Sequence, residues 1–199
     1  LSRIPWSLAL WPVVVGICLL LTWYGAIWLF SIPEYQLPQP HRIAQAMVNE
    51  REVLISGGAQ TTIACLVGFF ISVSGGLLLS IFLASSKWAF EGIYPFILLL
   101  KMTPIIVLAP IIILWAGQGI ISITIITFLI CFFPIVANTT MGLRTVDQNL
   151  SDLFRVYGAT SSQTMFWLRL PGTLPYFMAG LKIAAALTPI GALYGDTVA

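Results

Sequence analysis

The segment "QTTIACLVGFFISVSGGLLLSIFLA", residues 60–84, runs for 25 residues without a charged side chain. About 20 predominantly apolar residues are enough to cross the hydrocarbon core of a bilayer as a helix. Every fourth residue here is small, and together these form one ridge on a helix: Ala64, Gly68, Ser72, Gly76, Ser80 and Ala84. Such a ridge lets a second helix approach closely, which favours association in lipid. The segment therefore predicts a membrane-spanning helix that packs tightly against a neighbour.

The rest of the chain has the same character. Of its 199 residues, 59% are hydrophobic and 8% are charged, whereas soluble domains carry about 25% charged residues. Four more apolar runs lie at residues 11–30, 93–115, 120–139 and 174–195. They do not alternate between polar and apolar positions, so helices are favoured over barrel strands. The sequence predicts an all-α integral membrane protein with about five spans in a single domain, residues 1–199, and a sixth span in a longer natural chain.

The basic residues predict which loops face the cytoplasm. With the N-terminus inside, the inner segments hold Arg3, Lys87, Arg144, Arg155 and Arg169, and the outer segments hold only Arg42 and Arg51. Because cytoplasmic loops carry the excess of Lys and Arg, the polar segment 142–171 is expected in the cytoplasm. The outer stretch 41–52 is expected to form a short surface helix.

Residues 142–171 have the pattern of two short helices joined by a turn. Two capping boxes are predicted, one from Thr145 to Gln148 and one from Thr160 to Gln163. Gly158 stands where a left-handed helix cap needs glycine. Pro171 is expected to end the second helix before the last span.

The first of these helices is amphipathic. One face is apolar and the other is polar, with Val146, Leu150, Leu153, Phe154 and Tyr157 on the first and Asp147, Ser151, Asp152 and Arg155 on the second. An interfacial helix that rests on lipid and a docking element for another protein both fit this face, and the pattern alone leaves them about even.

The sequence lacks the residues that several other classes of function require. The sequence has no GxxxxGK[ST] loop to cradle the phosphates of ATP, and its one histidine, His41, has no catalytic arrangement around it. The net charge of +2 is too small to indicate nucleic-acid binding. Cys18, Cys65 and Cys131 lie within apolar runs without metal-ligand spacing and are interpreted as packing residues.

The segment "DLFRVYGATSSQTMFWLRLP", residues 152–171, resembles the EAA loop of permease subunits in ATP-binding-cassette (ABC) importers. Asp152 matches the acidic position, Gly158 the glycine, Phe166 the aromatic and Pro171 the closing proline, whereas two other residues, Leu153 and Phe154, replace the family's two alanines. Further resemblances cover "LPQPHRIAQAM", "MTPIIVLAPIIILWAGQG", "LPYFMAGLKIAAA" and "IGALYGD". Together they resemble the branch of permeases for nitrate, sulfonates, taurine and thiamine-type pyrimidines.

This resemblance implies a type I ABC importer permease fold in a bacterial inner membrane. It implies partners: membrane lipid, cytoplasmic ABC ATPase subunits that use ATP and Mg, an extracytoplasmic substrate-binding protein and a second permease copy. No cofactor is expected on this chain, and no enzyme activity of its own. The residues expected to couple to the ATPase are Leu150, Asp152, Leu153, Phe154, Arg155, Gly158, Ala159, Phe166 and Pro171.

A set of polar, basic and proline residues within the spans is predicted to line the translocation pathway: Pro104, Pro110, Gln118, Asn138 and Lys182. Packing kinks, helix caps and, for Lys101 and Lys182, snorkelling to the interface are the alternatives. The small face of Gly180, Ala184 and Thr188 is expected either to pack within the chain or to contact the second copy. Asp196 matches a position where the family often has a glutamate. A secondary transporter or channel independent of ATP, and a structural scaffold, are the alternative functions.

Overall fold

Every regular element in the computed structural model is helical across residues 6–197, the part of the chain that the structure describes; side chains are described for residues 10–105 and 107–193. This confirms the predicted all-α fold. In chain order the elements are α1 (Trp6–Phe30), α2 (Pro40–Asn49), α3 (Arg51–Ser85), α4 (Lys87–Met102), α5 (Ile105–Ala116), α6 (Ile120–Arg144), α7 (Gln148–Val156), α8 (Ser161–Thr164), a π-helical turn (Met165–Arg169) and α9 (Leu170–Thr197). The predicted inner residue Arg3 and the side chain of Asp196 lie outside the described residues.

Four helical stretches are long and apolar enough to cross a membrane: Leu10–Phe30, Arg51–Ser85, Ile120–Arg144 and Ser161–Leu193. A fifth span results if Lys87–Met102 and Val107–Ala116 count as one broken span. The sequence predicted one span over residues 93–115, but the structure has two helices there, bent by 101°. The bend lies at Pro104, which has no backbone N–H and disfavours helical geometry in the preceding residue.

The chain forms two compact units, one up to Gly57 and one from Gly58. In the first unit, α2 is the expected surface helix, with Pro40 as its first residue. Its start is joined to α1 by a side-chain contact, because the Tyr24 hydroxyl lies 3.0 Å from Nδ1 of His41 and the two rings stack. Pro40 suits the first helical turn because the N–H that proline lacks has no intrahelical partner there.

In the second unit the small residues of α3 are buried, as the sequence predicted. Two hydroxyls on this ridge also bond across to α6. The Ser72 hydroxyl donates to the carbonyl oxygen of Phe128 at 2.8 Å, and that of Ser80 donates to the carbonyl of Val136 at 3.3 Å. Each hydroxyl also bonds to a carbonyl one turn back in α3. These bonds satisfy the buried hydroxyls where lipid would offer no partner.

The approach of α3 to α6 is closest at Gly68. A methyl group added there would lie 2.7 Å from the carbonyl oxygen of Thr124, which is backbone and has little freedom to move. At Gly76 the added methyl would lie 2.9 Å from a methyl group of Ile135. Glycine is therefore required at the first position by a contact with the neighbouring helix.

The helix α9 also packs along α6, through a second set of small residues. A Cβ at Gly180 would lie 3.2 Å from the Pro134 carbonyl oxygen, and Ala184 is fully buried. The Cys131 thiol donates to the carbonyl of Ala184 at 3.4 Å. The expectation that the Gly180, Ala184 and Thr188 face meets a second copy is therefore wrong, because α6 of the same chain already occupies it.

We predict that Gly68→Ala lowers the thermal unfolding midpoint of the detergent-solubilised protein, because the added methyl meets the backbone of α6. Gly75→Ala on the same helix is the matched control. A Cβ at Gly75 lies at an ordinary 3.7 Å from the Phe132 ring, and alanine gains about 1 kcal/mol over glycine in helix propensity. Equal losses in both variants would contradict the assigned contact between α3 and α6.

Candidate functional site

The loop between α6 and α9 contains the predicted helix–turn–helix, but its first helix begins later than expected. The predicted capping box at Thr145 is wrong. Thr145 instead ends α6, where its hydroxyl donates to the carbonyl of Met141 at 2.7 Å. The first helix, α7, is capped by Asp147, whose carboxylate accepts from the backbone N–H of Asn149 at 2.9 Å. Thr145 is therefore the C-terminal cap of α6, and Asp147, two residues later, is the N-terminal cap of α7.

Gly158 directly follows the C-cap of α7 and has the left-handed conformation that the sequence predicted, with φ of +72°. Two backbone bonds complete the cap. The N–H of Gly158 donates to the carbonyl of Arg155 at 3.0 Å, and the N–H of Ala159 donates to that of Phe154 at 2.9 Å. This pair of bonds is the Schellman motif, which satisfies the last carbonyls of a helix. A Cβ at Gly158 would meet nothing within 4 Å, so the requirement for glycine comes from the backbone angle alone.

The predicted capping box at the second helix is confirmed. The N–H of Gln163 donates to the Thr160 hydroxyl at 3.3 Å, and the N–H of Thr160 donates to Oε1 of Gln163 at 2.8 Å. Only the two residues Gly158 and Ala159 separate the cap of α7 at Tyr157 from the cap of α8 at Thr160. The turn between the helices is therefore fixed on the α7 side by backbone bonds and on the α8 side by bonds between side chains and backbone.

The second helix does not end at Pro171, and that expectation is wrong. It passes through the π-helical turn Met165–Arg169 and continues directly as α9. The N–H of Leu170 donates to the carbonyl of Met165, five residues back, as in a π turn. Proline normally clashes with the carbonyl four residues earlier, which for Pro171 is that of Trp167. This carbonyl lies inside the wider turn, which relieves the clash and allows the helix to continue.

The apolar face of α7 is turned outward. Leu150 and Leu153 are 45% and 49% exposed, and Val156 and Tyr157 are 84% and 82% exposed. Phe154 is half-buried. An open groove of about 460 Å³ runs between this face and the second helix, and its lining includes Leu153, Phe154, Tyr157, Gly158, Ala159, Gln163 and Trp167. Trp167, which is 77% exposed, was not predicted as a site residue. Its position directly after Phe166 in "MFWL" is the sequence signal that could have indicated it.

The polar face of α7 looks the other way, into a second groove of about 630 Å³. This groove lies between α7, the C-terminal end of α3 and the second helix of the loop, and its lining includes Ile81, Ser85, Ser151, Asp152, Arg155, Ala159, Phe166 and Arg169. At the same end of the bundle, the guanidinium of Arg144 stacks 3.6 Å over the ring of Phe90 in α4. The basic residues predicted to face the cytoplasm in the second unit therefore lie at one end of it.

The predicted pathway residues lie in different settings. Pro104 precedes α5, Pro110 lies within α5, and Gln118 stands between two glycines of positive φ; all three are exposed. Asn138 is half-buried in α6 and donates to the carbonyl of Pro134 at 2.8 Å. Lys182 is exposed on α9. The contacts among the described side chains do not join these residues into one site, so their role in a pathway stays a prediction.

A comparison of the chain with models of protein families identifies a family that includes this loop. The family model described as binding-protein-dependent transport system inner membrane component matches residues 76–199, which include the helices α4 to α9 and the whole loop. The chain belongs to this family.

Individual relatives agree with this assignment. The formylaminopyrimidine transport permease protein ThiX of Halalkalibacterium halodurans is 34% identical over 189 residues, covering 94% of this chain and 75% of the relative. The nitrate import permease protein NrtB of Synechocystis is 30% identical over 122 residues, covering 61% and 44%. The putative aliphatic sulfonates transport permease protein SsuC of Escherichia coli is 27% identical over 195 residues, covering 97% and 74%.

These findings confirm the predicted family, its branch and the type I permease fold. The chain is a transmembrane permease subunit of an ABC importer, with several spans in the inner membrane. As a transporter component of this family, it works in a membrane with an ATPase and a substrate-binding protein as partners.

We predict that Gly158→Val loosens the turn between α7 and α8 and that Gly158→Asn does so much less. A β-branched residue resists positive φ, whereas asparagine adopts it more readily. Hydrogen–deuterium exchange on the purified protein reports this directly. Faster exchange is expected at the amides of residues 158 and 159 in the valine variant. Unchanged exchange there would contradict the assigned cap.

Proposed function

We propose that this permease imports a small solute of the nitrate, sulfonate, taurine or pyrimidine-vitamin-precursor type, delivered by an extracytoplasmic binding protein. Separate cytoplasmic ATPase subunits bind ATP and Mg and hydrolyse the ATP, and this chain binds no cofactor. The substrates printed in the names of the relatives, formylaminopyrimidine, nitrate and aliphatic sulfonates, support this range. Movement of the ATPases reaches the spans through the loop that contains α7.

The outward apolar face of α7 carries this proposal. Leu150, Leu153, Val156 and Tyr157 are exposed on a helix whose polar residues line a groove on its other side. In water such a face is unfavourable unless a partner covers it. Each large apolar side chain that the ATPase buries contributes about 1.5–3 kcal/mol.

The charge of α7 favours a protein partner over lipid. From Asp147 to Tyr157 the segment has two carboxylates, Asp147 and Asp152, and one basic residue, Arg155. Helices that rest on membranes are typically rich in Lys and Arg, because the cytoplasmic leaflet is negatively charged. A segment with a net negative charge is repelled by such a surface and suits a cleft in a protein.

The remaining coupling residues have separate roles in this proposal. Asp152 and Arg155 supply polar contacts at the edge of the buried patch. Gly158 and Ala159 fix the angle between the two helices of the loop. Phe166 lies in the π turn and Pro171 in the first turn of α9, so a displacement of the loop is passed to that span through a helix that continues past Pro171.

We predict that Leu153→Asp weakens binding of the ATPase subunit by about tenfold or more, because a charge replaces a leucine that the ATPase would bury and tenfold corresponds to about 1.4 kcal/mol. Ser151→Asp is the matched control, since it adds the same carboxylate on the face that lines the polar groove. Binding is measured by copurification in mild detergent and by titration of the purified subunits.

Full ATPase binding by Leu153→Asp, together with normal solute uptake, would show that the docking face is wrong. Release of the loop from lipid with ATPase binding intact would indicate the interfacial helix. Loss of binding in both variants would mean that charge anywhere on α7 disrupts the complex, and the assigned face would again be contradicted.

A second prediction concerns stoichiometry. A single chain of five or six spans does not easily enclose a pathway, and two ATPases need two docking loops. The intact complex is therefore expected to hold two permease copies, identical or closely related, for two ATPases. Native mass spectrometry measures this number, and a single permease copy with two ATPases would contradict it.

A further inference from the structure

Lys182 lies level with the middle of the central helix α6. A Cβ at Gly180, two residues before it, would lie 3.2 Å from the Pro134 carbonyl oxygen. Ala184, two residues after it, accepts the hydrogen bond from the thiol of Cys131. Positions 131 and 134 are near the centre of α6, which spans Ile120–Arg144. The lysine is therefore far from both ends of the bundle.

This depth argues against snorkelling as the explanation for Lys182. A helix of 25 residues is about 37 Å long, so its centre is about 18 Å from either end. Lysine has a stem of only four carbons, which brings an ammonium to the interface when the residue lies near a helix end. From the middle of the span the ammonium stays within the hydrocarbon depth, so something other than lipid must solvate it.

The side chain also points away from its own bundle. The residues of α9 that are buried against the rest of the unit are Thr173, Gly180, Ala184 and Gly191. Lys182 is two residues from both Gly180 and Ala184, which places it on the opposite side of the helix, and it is exposed there. The two ion pairs among the described side chains involve other residues. The sequence has no Asp or Glu between Asp152 and Asp196.

The neighbours of Lys182 on this face are mostly small. One turn away lie Ala179, Ala185 and Ala186, which are all exposed, and one larger residue, Met178, which is 45% exposed. An ionisable residue within a span almost always faces a protein interior or a water-filled cavity. On the C-terminal side of Lys182 the alanines leave space for water and a solute.

We propose that Lys182 lines a water-filled section of the translocation pathway at the membrane midplane and gives that section a preference for anionic solutes. The proposal rests on the proposed function for the second copy, whose face closes the pathway. Two copies bring two ammonium groups to it. An anion gains Coulomb energy there, and a cation is repelled.

The experiment measures charge selection without needing the natural solute. In a Cys18→Ser background the remaining native thiols, Cys65 and Cys131, are buried, and Ala186→Cys adds one thiol next to Lys182. The permease is purified with its ATPase and placed in nanodiscs. Its labelling rates are then compared for negatively charged methanethiosulfonate ethylsulfonate and positively charged methanethiosulfonate ethyltrimethylammonium. The ratio of the two rates at one cysteine does not depend on the pKa of that thiol.

The anionic reagent is expected to react faster at this cysteine. Relative to the ratio for free cysteine, the preference should be about tenfold. Lys182→Gln should abolish it, and Lys182→Arg should retain it because the charge is kept. The background protein without Ala186→Cys is the control for labelling of Cys65 and Cys131. Assembly with the ATPase, followed by size-exclusion chromatography, shows that each variant is folded.

Two results would overturn the proposal. An unchanged rate ratio in Lys182→Gln would show that the lysine does not select charge. Labelling by membrane-permeant N-ethylmaleimide but by neither charged reagent would show that this face meets lipid or protein rather than water. Failure of the permease to bind an ATPase would instead contradict the proposed function, and it is seen separately at the copurification step.

Discussion

The close approach of α3 and α9 to the central helix α6 is the interaction on which the described second unit depends. Gly68 brings α3 against the backbone of α6 at Thr124, and the hydroxyl of Ser72 bonds across the contact. Gly180 and Ala184 bring α9 into close contact with α6 as well. Lipid tails are as apolar as leucine, so the hydrophobic effect does not hold helices together in a membrane. Backbones in contact and buried hydroxyl bonds supply the association instead.

This packing determines what the loop between α6 and α9 can do. The helices before and after the loop, α6 and α9, pack tightly against each other, so both ends of the loop are held in place. Its second half continues without interruption into α9 through the π turn. In the proposed function a force on α7 is therefore carried directly to the span α9. The π turn is the least regular part of this helical connection, because the helix is wider there and its hydrogen bonding changes.

The details of the loop show where local patterns in the sequence were sufficient. Gly158 and the pair Thr160 and Gln163 were predicted from neighbours within a few residues, and the expected local capping bonds form in the structure. Thr145 and Pro171 were predicted by similar rules and the structure differs at both. In each case a long adjoining helix extends to the residue. Thr145 caps the end of α6, and Pro171 lies inside α9. Capping rules describe an isolated helix end and do not include the tertiary packing that extends a long helix.

The sequence by itself determined the fold class, the apolar spans and the small-residue ridge of α3. These features depend on composition and on spacing along one helix, which can be counted in the chain. The membership of the ABC importer permeases was expected from the resemblance of its motifs, and the family comparison confirmed it. Only the tertiary structure decided that Gly180 and Ala184 face α6 rather than a second copy, and that Lys182 lies at mid-depth on the opposite side of α9. The partner and the depth of a helix face depend on how α9 is aligned along α6. That alignment is set by contacts between residues about 50 positions apart, such as Cys131 and Ala184, which no pattern within a single helix contains.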